Sequence, residues 1–147
     1  MGRIKVSTVI DASRQDVWAA VEDISRHVDW MEDAVAIRLT SDRRQGLGTT
    51  FDCDTKVGPL RLTDRMEITS WDTGRAMGVR HVGLVTGTGE FRLDPDPTGA
   101  TRFTWEERLT FPWWMGGPIG GLVGGPVLKR VWRRNLANLK ALVEREP

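Results

Sequence analysis

Residues 34–111 form a nearly continuous series of segments in which apolar and polar side chains alternate. Alternation with a period of two is typical of β-strands that bury one face. Turn signals such as Gln45-Gly46, Gly58-Pro59 and Asp72-Thr73-Gly74 separate these segments. Consecutive strands joined by short turns pair antiparallel, so this stretch predicts an antiparallel meander of six strands.

One strand and two short helices are predicted before the meander. Residues 3–10 place Ile4, Val6, Thr8 and Ile10 at alternate positions, which favours a strand. Ser13 is followed three residues later by Asp16, a capping-box pattern that predicts a helix over about residues 14–23. One or two further helical turns are expected over residues 25–31.

A glycine- and proline-rich segment, residues 112–126, precedes a long C-terminal helix with one apolar stripe. We expect this helix to span roughly 25 residues, or ~37 Å at 1.5 Å per residue. It is the only element long enough to cover the apolar face of the sheet. A twisted sheet that curls around one helix leaves space between them. The sequence therefore predicts an α+β fold of order β-α-α-β6-α, a curved seven-stranded antiparallel sheet around the long C-terminal helix, with a cavity between.

Composition narrows the function classes. The 147 residues contain no linker, which predicts a single domain over residues 1–147. Lys and Arg number 21 against 20 Asp and Glu, so no strong field favours a nucleic-acid partner. One cysteine, Cys53, excludes an internal disulfide, and with two histidines we expect no metal site and no cofactor.

The expected compartment is the cytoplasm. The opening residues MGRIKVSTVI lack the features of a signal peptide. The uncharged stretch from Phe111 to Leu128 is interrupted by prolines and glycines, so we expect no integral membrane association. The oligomeric state is not determined by these residues, and a dimer remains open.

Both ends of the chain resemble a known superfamily. The segments VIDASRQDVWAAVEDISRHVDWM (residues 9–31) and GGLVGGPVLKRVWRRNLANLKALVERE (residues 120–146) are similar to START-like (SRPBCC) proteins, particularly bacterial polyketide cyclase/dehydrase-type members. The resemblance implies a helix-grip fold with an apolar cavity between the sheet and the terminal helix. The superfamily includes lipid carriers, hormone receptors and cyclases. Because these proteins share no single catalytic motif, the resemblance assigns no catalytic residue.

Three ionisable side chains fall in register with the apolar inner face of the sheet: Asp64, His81 and Glu107. A charge that faces an apolar interior is costly unless it is paired or hydrogen-bonded. In the structural interpretation, Asp64 and Glu107 lie at strand ends or bulges and meet solvent. In the functional interpretation, one or more of the three point into the cavity, where they orient a ligand or move a proton.

The remaining candidates are apolar. We expect the strands to contribute Phe51, Met66, Val79, Trp105 and Phe111 to the cavity wall. Trp30, Trp113 and Trp114 are candidates for its mouth, with plain core packing as the alternative. Leu122 lies in the glycine-rich segment, for which we favour a loose lid over a smooth helical face.

Two short sequence patterns have plain interpretations. The basic residues that begin the terminal helix are expected to form its solvated face, with a docking patch for an acidic partner as the alternative; they are Lys129, Arg130, Arg133 and Arg134. The segment TGTGE at residues 86–90 lacks the third glycine of a dinucleotide-binding fingerprint and does not begin a helix.

Two functions are consistent with this sequence. The first is binding of a small hydrophobic ligand, such as a lipid, an aromatic metabolite or a polyketide-like compound, in the cavity. The second is a cyclase/dehydratase-type enzyme in which Asp64, His81 or Glu107 exchanges protons with a polyketide-like substrate. The sequence supports a cavity more strongly than it supports catalysis.

Overall fold

The computed structural model describes residues 2–112 and 117–145, and the side chains of residues 3–112 and 125–145. The strands are β1 (Gly2–Ile10), β2 (Ala34–Leu39), β3 (Thr50–Val57), β4 (Leu60–Asp72), β5 (Ala76–Val82), β6 (Thr86–Pro95) and β7 (Thr101–Thr110). The helices are α1 (Arg14–Val21), a 3₁₀ helix (Ile24–Asp29) and α2 (Gly117–Arg145). The predicted order β-α-α-β6-α is confirmed, with a 3₁₀ helix as its second helical element.

The seven strands form one antiparallel sheet in the order β1-β7-β6-β5-β4-β3-β2. Strands β2 to β7 follow each other as a meander, as the alternation predicts, and β1 pairs with β7 at the outer edge. The register shifts once in β2, between Ala34 and Ala36, and once in β4, between Ile68 and Ser70. Such bulges increase the local twist of a sheet and help it to curl.

The helices cover the apolar face of this sheet. The N-cap of α1 forms as predicted, because the Ser13 hydroxyl accepts a hydrogen bond of 3.1 Å from the Asp16 backbone N–H. Helix α2 packs against β1 and β7. Its buried apolar side chains recur at helical spacing and join the main core; among the residues described they are Trp132, Leu136, Leu139 and Val143.

The predicted boundary of the terminal helix is wrong. Helix α2 begins at Gly117 and contains Pro126, so residues 117–126 are helical rather than a loose lid. Once a helix has nucleated, each added residue costs much less than the first turn. Glycine propensity alone therefore underestimated how far this helix extends. Over the residues described, no helix is long and apolar enough to cross a membrane.

Candidate functional site

A cavity of about 430 Å³ lies between the inner face of the sheet, the 3₁₀ helix and α2. This volume falls within the ~300–1,000 Å³ range of small-molecule sites. Most of its wall is apolar. All five strand residues predicted for the wall line this cavity: Phe51, Met66, Val79, Trp105 and Phe111.

Trp30, a candidate for the cavity mouth, does not line the cavity. Trp30 is buried among aromatic rings rather than in the cavity wall, and its ring centroid lies 5.9 Å from Phe91 and 6.1 Å from Trp105. It is therefore a packing residue behind the wall. Trp113 and Trp114 lie outside the described residues, and Leu122 lies in α2 with a side chain outside the described set.

Asp64, His81 and Glu107 meet in the cavity wall and form a hydrogen-bonded triad. His81 Nδ1 lies 2.9 Å from Asp64 Oδ2, and His81 Nε2 lies 2.5 Å from Glu107 Oε1. The side chains are 15%, 4% and 7% exposed for Asp64, His81 and Glu107. The alternative that these carboxylates lie in solvent at strand ends is therefore wrong.

The register of the sheet explains how this contact spans several strands. His81 lies on β5 and Glu107 on β7, so strand β6 runs between them. Opposite His81, β6 carries Gly87, and opposite Glu107 it carries Gly89. A Cβ atom on Gly89 would come within 2.5 Å of Glu107 Oε1. The segment TGTGE thus supplies a gap without side chains, across which the two residues reach each other.

The backbone geometry also requires a glycine at a second position of this gap, residue 87. Gly87 has φ +130°, a conformation that favours glycine, and a Cβ there would lie 1.9 Å from the Arg108 carbonyl oxygen. We refer to Gly87 and Gly89 as the glycine gap.

The triad holds His81 in its charged form. Burial by itself lowers the pKa of His81, but the hydrogen bonds from Asp64 and Glu107 outweigh it and raise the pKa to about 10. At neutral pH the ring is therefore an imidazolium that donates Nδ1–H to Asp64 and Nε2–H to Glu107. Trp105 Nε1–H donates to the other Glu107 oxygen at 3.1 Å and fixes that carboxylate.

The second histidine, His27, lines the same cavity, but its ring is neutral. Burial lowers the pKa of His27, so its ring is neutral at pH 7. Its Nε2–H donates to the Val21 carbonyl oxygen at 2.7 Å, which leaves Nδ1 with a lone pair. Sequence reasoning did not place His27 in the wall, because its 3₁₀ helix is too short to show which face is buried.

Two further polar residues line the wall: Asp33, which sequence reasoning missed, and Cys53, which strand alternation places on the inner face. Asp33 lies between β2 and α2, where it accepts hydrogen bonds from Trp132 Nε1 at 3.2 Å and Asn135 Nδ2 at 2.7 Å. The thiol of Cys53 lies in the wall next to Asp64, and its burial raises its pKa to about 11. It is a neutral thiol at physiological pH.

This arrangement can share protons among three groups in a mainly apolar space. Among residues 2–112 and 117–145, no group of three or more His, Cys, Asp or Glu side chains is placed to hold a metal ion.

Four basic residues are exposed on α2: Lys129, Arg130, Arg133 and Arg134. Arg134 pairs with Glu32 at 3.3 Å. This is the solvated face predicted for that helix.

Solved structures share this architecture. A protein of Thermus thermophilus superposes with a TM-score of 0.75 at 16% identity, covering 97% of each chain. The XoxI protein of Bacillus cereus gives a TM-score of 0.77 at 13% identity, covering 98% of this chain and 96% of that one. The Zhui aromatase/cyclase of Streptomyces sp. R1128 gives 0.70 at 17% identity, covering 97% of this chain and 93% of that one. The fold is thus the helix-grip fold that the sequence predicts.

Comparison with curated protein sequences gives no significant match. The sequence does match the family described as polyketide cyclase / dehydrase and lipid transport, over residues 1–144. The match spans nearly every residue, including all the strands that surround the cavity. The chain therefore belongs to the polyketide cyclase / dehydrase and lipid transport family.

Proposed function

We propose that this protein binds a small, mainly apolar molecule in the cavity between its sheet and α2. The observation that carries the proposal is the cavity itself, about 430 Å³ in volume with a mostly apolar wall. Burial of apolar ligand surface contributes ~25 cal/mol per Å², and a few polar groups set the orientation. The family includes proteins of lipid transport, which supports this assignment.

A neutral fluorescent probe tests this proposal. N-phenyl-1-naphthylamine fluoresces strongly once it leaves water, so titration should give saturable binding to one site. Val79→Trp places a large ring in the cavity wall and should abolish that binding. Val82→Trp is the matched control, since Val82 is on the same strand but 49% exposed and outside the wall. Equal binding by both variants would contradict the assignment of the site.

The triad favours a second candidate function, a cyclase/dehydratase-type enzyme. A carboxylate beside an imidazolium in an apolar space can remove a proton from carbon next to a ketone. In this step the C–H bond breaks, the proton moves to the Asp64 carboxylate, and the electron pair forms an enolate. Return of the proton restores both groups. Asp64 is suited to this role because it is the most exposed member of the triad.

Deuterium exchange separates a carrier from such an enzyme. An enzyme should accelerate exchange of the protons next to the carbonyl of 2-nonanone in D₂O, as followed by proton NMR. Asp64→Asn should remove the acceleration. Asp72→Asn should keep it, since Asp72 is an exposed residue at the end of the same strand. Exchange no faster than in buffer would reject proton abstraction from ketones and leave the binding function.

We place this function in the cytoplasm. The free thiol of Cys53 is compatible with a reducing compartment, where thiols persist without forming disulfides.

A further inference from the structure

The cavity wall carries more negative than positive charge. Three acidic side chains face it: Asp33, Asp64 and Glu107. Glu90 points to the opposite face of β6, where its carboxylate pairs with Arg92 at 3.0 Å. Among the side chains described, none of the three inward carboxylates has a lysine or arginine partner. The one cationic side chain in the described wall is His81, which Asp64 and Glu107 share. Residues 113–124, whose side chains are not described, contain no charged residue.

The polar groups of the triad offer acceptors to a ligand. Both N–H groups of the His81 imidazolium already donate to carboxylates, and Trp105 Nε1–H donates to Glu107. Each carboxylate oxygen has two lone pairs, so Asp64 and Glu107 retain unused acceptor sites. Asp64 retains the greater exposure, at 15% of its side chain.

Another part of the wall also presents hydrogen-bond acceptors rather than donors. His27 is 6% exposed, and Nδ1 of its neutral ring has no hydrogen-bond partner among the described residues. The Thr55 hydroxyl, a donor in the wall, turns to the carbonyl oxygen of Cys53 in its own strand. The lone pair of His27 Nδ1 therefore adds a hydrogen-bond acceptor to the wall, and no described residue supplies it with a donor.

We propose that the ligand is a protonated amine on an apolar body, and that its ammonium group donates hydrogen bonds to the carboxylates of the triad. Molecules that end in a carboxylate or a phosphate should bind much more weakly. This inference rests on the proposed binding function, which it makes more specific. An ammonium group supplies three donors and neutralises the excess carboxylate charge of the wall. A ligand carboxylate would face hydrogen-bond acceptors rather than donors. It would also place a further negative charge beside Asp64 and Glu107 in a largely apolar site, which is unfavourable.

A series of ligands that share one tail tests this inference. Decylamine, decanol and undecanoate share a ten-carbon tail and differ only in their polar end, which at pH 7 is cationic, neutral and anionic, respectively. Each is used below its micelle-forming concentration to displace N-phenyl-1-naphthylamine from the protein. We expect the amine to bind at least tenfold more tightly than the carboxylate, with the alcohol between them.

Variants assign the preference to the triad. Asp64→Asn should reduce the amine-to-carboxylate ratio severalfold, and Asp72→Asn should leave it unchanged. The wild-type ranking is a sufficient test by itself if Asp64→Asn does not fold. A carboxylate that binds as tightly as the amine, or an alcohol that binds more tightly, overturns the inference. In either case, displacement of the probe by all three still supports the cavity as the binding site. Failure of the probe and of all three ligands to bind overturns the proposed function as well.

Discussion

Raising the pH from 7 to 8.5 should lower the free energy of unfolding by about 2 kcal/mol, because His81 must stay protonated in the folded protein. Its pKa is raised from 6.5 to about 10 by Asp64 and Glu107 against the opposing effect of burial. A raised pKa gives stabilisation that is complete below pH 6.5 and is lost as the pH rises toward 10. Near the middle of this interval the slope approaches ~1.4 kcal/mol per pH unit, and it is somewhat smaller near pH 7.

Urea denaturation followed by tryptophan fluorescence at pH 7.0, 7.5, 8.0 and 8.5 measures this slope. The range stops at 8.5 because Cys53, with a pKa near 11, adds its own loss of stability above pH 9. His81→Gln should remove the slope. His27→Gln should retain it, because the pKa of His27 is lowered and its ring is neutral throughout this range. A wild-type stability that is constant over this range, or equal slopes in wild type and His81→Gln, would refute a charged His81.

Further predictions concern the glycine gap and the buried thiol. Gly89→Ala should cost ~1–3 kcal/mol in urea denaturation and flatten the slope of stability against pH, because its Cβ would displace the Glu107 carboxylate from His81. Gly125→Ala, where nothing lies within 4 Å of the added carbon, should instead gain up to ~1 kcal/mol of helix stability; equal costs at both sites would contradict a steric role for Gly89. Cys53 should react with Ellman's reagent at pH 7.5 at least tenfold more slowly in the native protein than in urea, because burial raises its pKa to about 11. Equal rates would show that the thiol is accessible.

The sheet could be predicted from sequence because alternation reports directly which face of each strand is buried. The same alternation placed Asp64, His81 and Glu107 on the inner face, where the structure has them. It could not show that His81 and Glu107 touch. That contact depends on the register of two strand pairings and on the absence of side chains at Gly87 and Gly89.

Residues outside the sheet were harder to place. Trp30 follows a short 3₁₀ helix, and its direction is set by tertiary packing against Phe91 and Trp105 rather than by local pattern. His27 and Asp33 belong to the same irregular region, so neither showed a periodicity that could place it in the cavity wall. The start of α2 at Gly117 was missed because glycine propensity opposes a helix that the following residues propagate.

We infer that a doubly protonated His81 forms part of the wall of a ligand cavity. Nitrogen-15 NMR of protein labelled only in histidine tests it directly, because the chain has two histidines. At pH 8 we expect His81 to show two protonated ring nitrogens and His27 to show a neutral ring. Adding N-phenyl-1-naphthylamine should shift the His81 signals saturably in wild type and leave them unchanged in Val79→Trp. A neutral His81 ring at pH 8 would contradict the charged state of this residue. His81 signals that do not shift when the probe binds would contradict its place in the ligand cavity.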